Sequence, residues 1–354
     1  GRLAGESRNA FVPAIIDARP WLQAGRNELL VRMTAGSELA PDETPSGQAQ
    51  PHRPNRAAAG AVPNPMRDDA LYAHRNWAGK KWLRKPQFSY GWDWVDALPN
   101  LGIWRGVRLE GRSHAVLHDL RLDTLRQDDR VVLELEAIVE NLHPWAERAG
   151  ILDLEIRAPD GTPTAQRRYT VSVPPGRMPI RDAIEIPNAQ LWWPNGMGDQ
   201  PLYHVTARLA DGTGAPCDER RLAIGLRTIE LDRTPLAEGS RFCFRVNGHE
   251  VFCRGGNIGP HDAILARIPD AKHERLVAEA KNANLNMLRI NGCSVYEAPA
   301  FYDACDRAGI LVWQDFMLTC TSYPEENEAF CAAVRAEVEA VVPMLRHHPS
   351  IALW

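Results

Sequence analysis

The chain has 354 residues, 44% hydrophobic and 24% charged, which is enough apolar surface to bury a core spread over two or three domains and excludes a wholly disordered chain or a minimal peptide module. Its 41 basic and 45 acidic residues leave a formal charge of -4 with no basic run, so no nucleic-acid partner is expected. Charges interrupt every apolar run well before the roughly 18 residues of a membrane-spanning helix, and no membrane partner is expected either.

The opening residues, Gly1 to Glu6, do not read as a signal peptide, and without an initiator Met any targeting segment upstream is left open. Residues 10–16 and 27–33 read as short strands between turn residues, so the chain opens inside a β domain. Residues 40–66 are rich in Pro, Ala, Gly and Asn without period and read as a long surface loop. Of 11 Trp, five crowd the next stretch: Trp77, Trp82, Trp92, Trp94 and Trp104. Indoles stack on the apolar faces of sugars and also fill cores, and composition alone favours the core.

Residues 102–110 alternate apolar with polar or small side chains, as a half-buried strand does. Strand patterns continue at 131–137, 152–156 and 203–209, separated by turns at 159–161 and 210–212. This spacing predicts a second all-β domain, a sandwich of about seven strands in roughly 115 residues.

Near Phe242 the period changes. A strand at 250–254 leads through Gly255, Gly256 and Asn257 into a helix over 271–284, with Leu276, Val277 and Ala280 on one face. A strand at 286–290, a helix at 298–308 ended by Gly309, a strand at 310–313, a helix over 326–346 and a strand at 351–354 follow. Such alternation predicts parallel βα units. Four strands and three helices amount to about half of an eightfold barrel of roughly 250 residues.

In such a barrel the C-terminal strand ends line the active site. That rule selects Gly256 and Asn257, then Arg289 and Asn291, then Gln314 and Asp315. Plainer roles stay open: Arg289 and Asp315 as a buried salt bridge, Asn257 as a turn closer. His347 and His348 sit at a helix end before Pro349, where an imidazolium suits the helix dipole, and His114 and His118 have no third ligand, so no metal is assigned. Glu297 opens a helix, a place where a carboxylate satisfies orphan amides. No nucleophile elbow, phosphate loop or dinucleotide fingerprint is present, and no cofactor is expected. The seven Cys lack CxxC spacing and read as mostly buried thiols, which favours a reducing, cytoplasmic setting over a zinc site or a disulfide framework.

Several motifs then agree in order with one family. Residues 84–94 (RKPQFSYGWDW) with 102–105 (GIWR), 244–248 (FRVNG), 286–290 (NMLRI) with 295–297 (VYE), 301–303 (FYD), 309–316 (GILVWQDF) and 348–354 (HPSIALW) resemble the β-mannosidases of glycoside hydrolase family 2. The resemblance spans nearly the whole chain apart from residues 40–66. It implies a multidomain β plus α/β fold: a partial jelly-roll β-sandwich that binds sugar over 1–113, an immunoglobulin-like β-sandwich over 114–233, and the first half of a (β/α)8 TIM barrel over 234–354.

In that family the acid/base and nucleophilic Glu follow the fourth and seventh barrel strands, so the resemblance implies that no catalytic residue lies in these 354 and that the fragment alone is inert. A retaining glycosidase needs both, about 5 to 5.5 Å apart. The implied activity is exo-acting removal of terminal β-D-mannose from a β-linked oligosaccharide, with Asp93 and Asp315 resembling hydroxyl-binding acids, Trp92 flanking Asp93, and Arg289 resembling an orienting residue. Asn291 departs from the family's Trp at that place and replaces an apolar wall with an amide, which bears on the preferred sugar. A family-2 hydrolase for another β-hexoside such as a glucosaminide, and a non-catalytic carbohydrate-binding or split-enzyme subunit, are the alternatives. A homodimer is left open.

Overall fold

The computed structural model describes residues 2–36, 78–92, 94–127 and 130–354. Residues 40–66, Trp77 and Asp93 lie outside the described residues.

A short antiparallel hairpin, β1 (Tyr90–Trp92) and β2 (Val95–Ala97), is the sheet structure found before residue 114 among the described residues. The strands expected at 10–16, 27–33 and 102–110 form no ladder there. Pattern alone does not make a strand. It needs a partner's backbone and a face to bury, and Leu29, Leu30, Val107 and Leu109 stand in solvent. The expected jelly roll is thus not assembled from these runs. They are held instead at single points: Asn9 bridges Arg84, Phe11 is buried, and the Trp104 indole N–H donates to the Ala10 carbonyl at 3.3 Å.

The expected sandwich of about seven strands is present. One sheet has the order β3-β4-β7, from β3 (Ala115–Gln127), β4 (Arg130–Asn141) and β7 (Gly176–Ile186); the other is β6-β5-β8-β9, from β5 (Arg148–Arg157), β6 (Pro163–Val173), β8 (Tyr203–Asp211) and β9 (Pro216–Ile224). All pairings are antiparallel. Strict alternation puts Val131, Leu133, Leu135, Ala137 and Val139 of β4 opposite Leu152, Leu154 and Ile156 of β5 in one core.

A three-stranded antiparallel sheet follows, β10 (Ile229–Asp232), β11 (Cys243–Val246) and β12 (His249–Val251). Then come four parallel strands in sequential order: β13 (Gly255–Ile258), β14 (Met287–Ile290), β15 (Leu311–Gln314) and β16 (Ile351–Leu353). The connecting helices are α1 (Asp270–Asn282), α2 (Pro299–Ala308) and α3 (Glu328–Leu345). α2 ends on Gly309 in the left-handed conformation, as expected. Leu288, Ile290, Val312 and Ile351 of the sheet share a core with Val277, Phe301, Cys305, Val341 and Leu345 of the helices, while Met287 and Leu311 pack on Phe244, Val246 and Val251. Sequential order with helices on one face is a βα succession, each strand laid beside the last.

The first parallel strand differs from expectation. The run expected at 250–254 splits: residues 249–251 belong to the antiparallel sheet, and Gly255, Gly256 and Asn257 are strand rather than turn. A Cβ at Gly255 would lie 1.8 Å from the Met287 carbonyl oxygen, so this glycine permits close strand approach instead of reversing the chain.

Two seams join sandwich to parallel sheet. Trp192, fully buried, donates its indole N–H to the Asp306 carbonyl in α2 at 2.8 Å, and Arg227 donates to the carbonyls of Pro349 at 2.9 Å and Ile351 at 2.6 Å. The imidazolium reading of the helix end is corrected at His347. Burial lowers the His347 pKa to about 3, with His348 and Arg346 adding to the shift, and His348 pairs through Nδ1 with Asp306 Oδ2 at 2.6 Å instead of capping α3. The seven thiols are all free, but only Cys293 and Cys305 are buried and Cys320 is exposed.

Trp192→Phe removes the donor and part of the indole, leaving the Asp306 carbonyl unpaired and the buried site underfilled; urea denaturation is expected to show a loss of about 2–4 kcal/mol at unchanged m-value. His347 binds a proton more readily unfolded than folded, so its contribution to stability is present above about pH 6.5 and is lost as pH falls from there toward 3. Unfolding free energies at pH 7, 6 and 5 are expected to drop by up to about 1.4 kcal/mol per unit from this group, a slope that His347→Gln flattens.

Candidate functional site

Arg289 and Asp315 meet at the C-terminal end of the parallel sheet. Alternation along β14 sends Leu288 and Ile290 toward the helices and leaves Arg289 on the other face. There its guanidinium forms a two-point fork with Asp315, Nε to Oδ1 at 3.1 Å and Nη2 to Oδ2 at 2.8 Å. It also lies 4.9 Å from the centre of the Trp313 ring, which stacks on Phe242 at 5.9 Å. Asp315 is fixed from its own side: its backbone N–H donates to the Ile290 carbonyl at 3.0 Å, and Oδ2 accepts from the Gly292 N–H at 3.1 Å. Pairing matches the bridge left open by the sequence, but burial does not, since the Arg289 side chain is 41% exposed and that of Asp315 17%. The fork uses two of the five guanidinium N–H groups. A half-open ion pair of this kind can donate and accept toward the same hydroxyl-rich ligand.

The other predicted residues divide. Gln314 is fully buried and committed, accepting from the Tyr302 hydroxyl at 2.6 Å and donating to the Asp315 carbonyl at 2.9 Å; it positions Asp315 and leaves little for a ligand. Asn291 folds onto its own loop, with Oδ1 accepting from the Cys293 N–H at 3.1 Å and from its thiol at 2.7 Å. Asn257 is exposed within β13, level with Arg289 and Trp313 in the register, so it neither follows the strand nor closes a turn. Gly256 shares that strand. Trp92 is half-buried with the Lys80 ammonium 5.0 Å from its ring. Trp94, half-exposed, stacks on Phe88 at 5.9 Å and lies against Gly259, beyond the end of β13. The hairpin thus brings an indole beside the rim that holds Arg289 and Asp315. Asp93 is not described.

Glu297 does not cap α2. The N-cap is Ala298, and no side chain bonds the first amides. Glu297 is buried with Oε1 unpartnered among the described residues, and burial pushes its pKa up to about 8. Nearby, burial lowers His261 to about 4 and lowers His273 as well. Arg105, lowered by burial, donates to the carbonyls of Tyr296 at 2.9 Å and Glu297 at 3.0 Å.

A buried clamp was missed entirely. Arg84 forks onto Glu337 of α3 at 2.9 and 2.7 Å and donates to the Met317 carbonyl at 3.0 Å. The Glu337 carboxylate also accepts from the Tyr296 hydroxyl at 2.7 Å and the Asn9 amide at 3.2 Å. Partners 253 residues apart leave no spacing signal in one sequence.

Two family descriptions match the chain: "Glycosyl hydrolase 2 galactose-binding domain-like" over residues 1–105 and "Glycosyl hydrolases family 2" over residues 115–227. Among curated relatives, a protein named Beta-mannosidase B from Aspergillus terreus is 35% identical over 274 residues, covering 77% of this chain and 31% of that protein. A Beta-mannosidase from Capra hircus is 30% identical over 305 residues, covering 82% and 32%. The chain therefore spans about a third of the length of these relatives. The solved structure of a Beta-D-Mannosidase from Dictyoglomus thermophilum superposes with a TM-score of 0.75 at 35% identity, over 79% of this chain and 34% of that one. A Bacteroides uniformis beta-glucuronidase, 18% identical with a TM-score of 0.57, shares the fold.

Arg84→Met strands the Glu337 carboxylate in a buried site and is expected to cost about 3–5 kcal/mol in urea unfolding, whereas Arg84→Met with Glu337→Leu recovers most of that loss.

Proposed function

Because the chain belongs to glycoside hydrolase family 2, we propose that the whole protein is an exo-acting retaining glycosidase that releases terminal β-D-mannose from β-linked oligosaccharides. The observation that carries the reading is the Arg289–Asp315 fork at the C-terminal rim of the parallel sheet, half-open and braced by Trp313. The relatives named β-mannosidases support the choice of sugar.

On this reading residues 1–113 are the sugar-binding domain, 114–233 the immunoglobulin-like sandwich, and 234–354 the first half of a (β/α)8 barrel. Sequential parallel order with helices on one face supports the last assignment. Asp315 accepts hydrogen bonds from sugar hydroxyls, Arg289 holds that carboxylate aimed through the two-point fork, and Gln314 fixes the backbone beneath it. Trp92 reaches the sugar from the hairpin, Trp94 adds an apolar rim, and Asp93 is assigned a hydroxyl-binding role from its resemblance to the family alone. The chemistry asks for two further carboxyl groups about 5 to 5.5 Å apart, one attacking the anomeric carbon and one protonating the leaving oxygen and then activating water. None of the roles assigned here is that of either group.

Asn291 sets the sugar preference by holding the loop after β14 through its bonds to Cys293. The expected outcomes are turnover of an aryl β-mannoside by the full-length protein and, for Asp315→Asn, a fall in kcat/KM of about ten- to a hundredfold, the loss of a charged hydrogen bond. Faster cleavage of an aryl β-glucosaminide than of the mannoside would sink the mannosidase assignment, and no cleavage of either would sink the glycosidase reading.

A further inference from the structure

On the helix side of the same rim, three side chains from separate segments converge. His261 lies in the loop after β13, His273 in the first turns of α1, and Glu297 in the loop before α2. One ligand atom from each lies within 4.8 Å of the other two. His273 and Glu297 are 2% and 3% exposed. Both ring nitrogens of His261, Nδ1 of His273 and Oε1 of Glu297 are buried and unpartnered among the described residues. The imidazoles sit 4.6 Å apart, each at 6.3 Å from the Phe301 ring, which forms an apolar wall. Of the nearby cations, Arg105 gives its hydrogen bonds to the Tyr296 and Glu297 carbonyls rather than to the carboxylate, and Lys272 donates to the His261 carbonyl.

We propose that His261, His273 and Glu297 bind one divalent transition-metal ion, with Zn2+ the best match to the donors. Burying polar atoms without partners costs on the order of 1–3 kcal/mol each, and one shared ion would relieve that cost for one atom from each of the three residues. Two imidazoles and a carboxylate are the donor set zinc takes with three protein ligands, the fourth position going to water. Tetrahedral bonds of about 2.0–2.2 Å put ligand atoms about 3.3 Å apart, so binding draws the three together by about an ångström. His273 Nδ1 and Glu297 Oε2 are already 3.7 Å apart. The ion would staple the loop after β13 to the loop after β14, the second of which carries Asn291. The role is structural and stands whether or not the glycosidase reading does.

The test uses full-length protein stripped with a chelator and titrated with Zn2+, and in parallel with Co2+, whose visible bands report coordination geometry. Expected are one equivalent bound by calorimetry, a rise in Tm with Zn2+, and a tetrahedral Co2+ spectrum without the thiolate charge-transfer bands that cysteine ligands give. His261→Gln and His273→Gln are each expected to weaken binding by about tenfold or more and to abolish the Tm rise. If His273→Gln fails to fold by circular dichroism, His261→Gln, at a less buried position, decides the matter alone. Absence of stoichiometric binding to the unmodified protein overturns the proposal, as does binding undiminished in a folded His261→Gln variant or a spectrum dominated by thiolate bands.

Discussion

The buried guanidinium of Arg84 ties the described segments that precede β3 to α3 and the loop after β15. An ion pair with both members almost fully out of water survives only when further hydrogen bonds offset desolvation, and here Tyr296, Asn9 and the Met317 carbonyl supply them. Each of these partners lies in a different segment. The hairpin bearing Trp92 and Trp94 begins six residues after Arg84, so whatever aligns this guanidinium also sets where the indoles meet the parallel sheet. Phe11 completes the arrangement, lying 5.4 Å from the Arg84 guanidinium and edge-on to Tyr296.

The junction between sandwich and parallel sheet follows a different logic. It is built from neutral donors reaching backbone carbonyls: Trp192 to Asp306 and Asn195 to Leu285 at 2.9 Å, with the charged Arg227 reaching Pro349 and Ile351. Asn247 ties the pieces together, accepting from the Thr228 N–H and donating to the Trp192 carbonyl, both at 3.0 Å. Carbonyls at helix ends and strand starts have unused lone pairs, so side chains from another domain can dock there without disturbing the ladders. The rim of the sheet thereby sits on a base fixed at several points.

Much of this architecture was legible because it is periodic. Alternation in β4 and β8 and the three-to-four-residue spacing in α1 are local, and each element announces itself within a dozen residues. Arg289 and Asp315 were legible too, because strand ends in βα units have a fixed orientation. The failures are of two kinds. Gly255 and Gly256 carry a strong turn signal, yet the tight approach to Met287 that explains them is visible only in three dimensions. The N-terminal runs have strand-like patterns, but pairing is a property of two segments, and one sequence does not state which two. The Arg84 clamp and the convergence of His261, His273 and Glu297 are likewise long-range, joining residues of ordinary type at no diagnostic spacing.

The cysteines bear on how this surface answers to electrophiles. Only a thiolate attacks such reagents, and burial pushes the Cys293 thiol up to about 11 and the Cys305 thiol well above its ordinary value. Cys320 stands in solvent on the loop after β15, its backbone in the left-handed region at φ 45°. The strand end that presents Asp315 and the loop that presents Cys320 are one continuous segment, so a fluorophore attached at Cys320 reads the mouth of the sheet while its buried neighbours stay unlabelled.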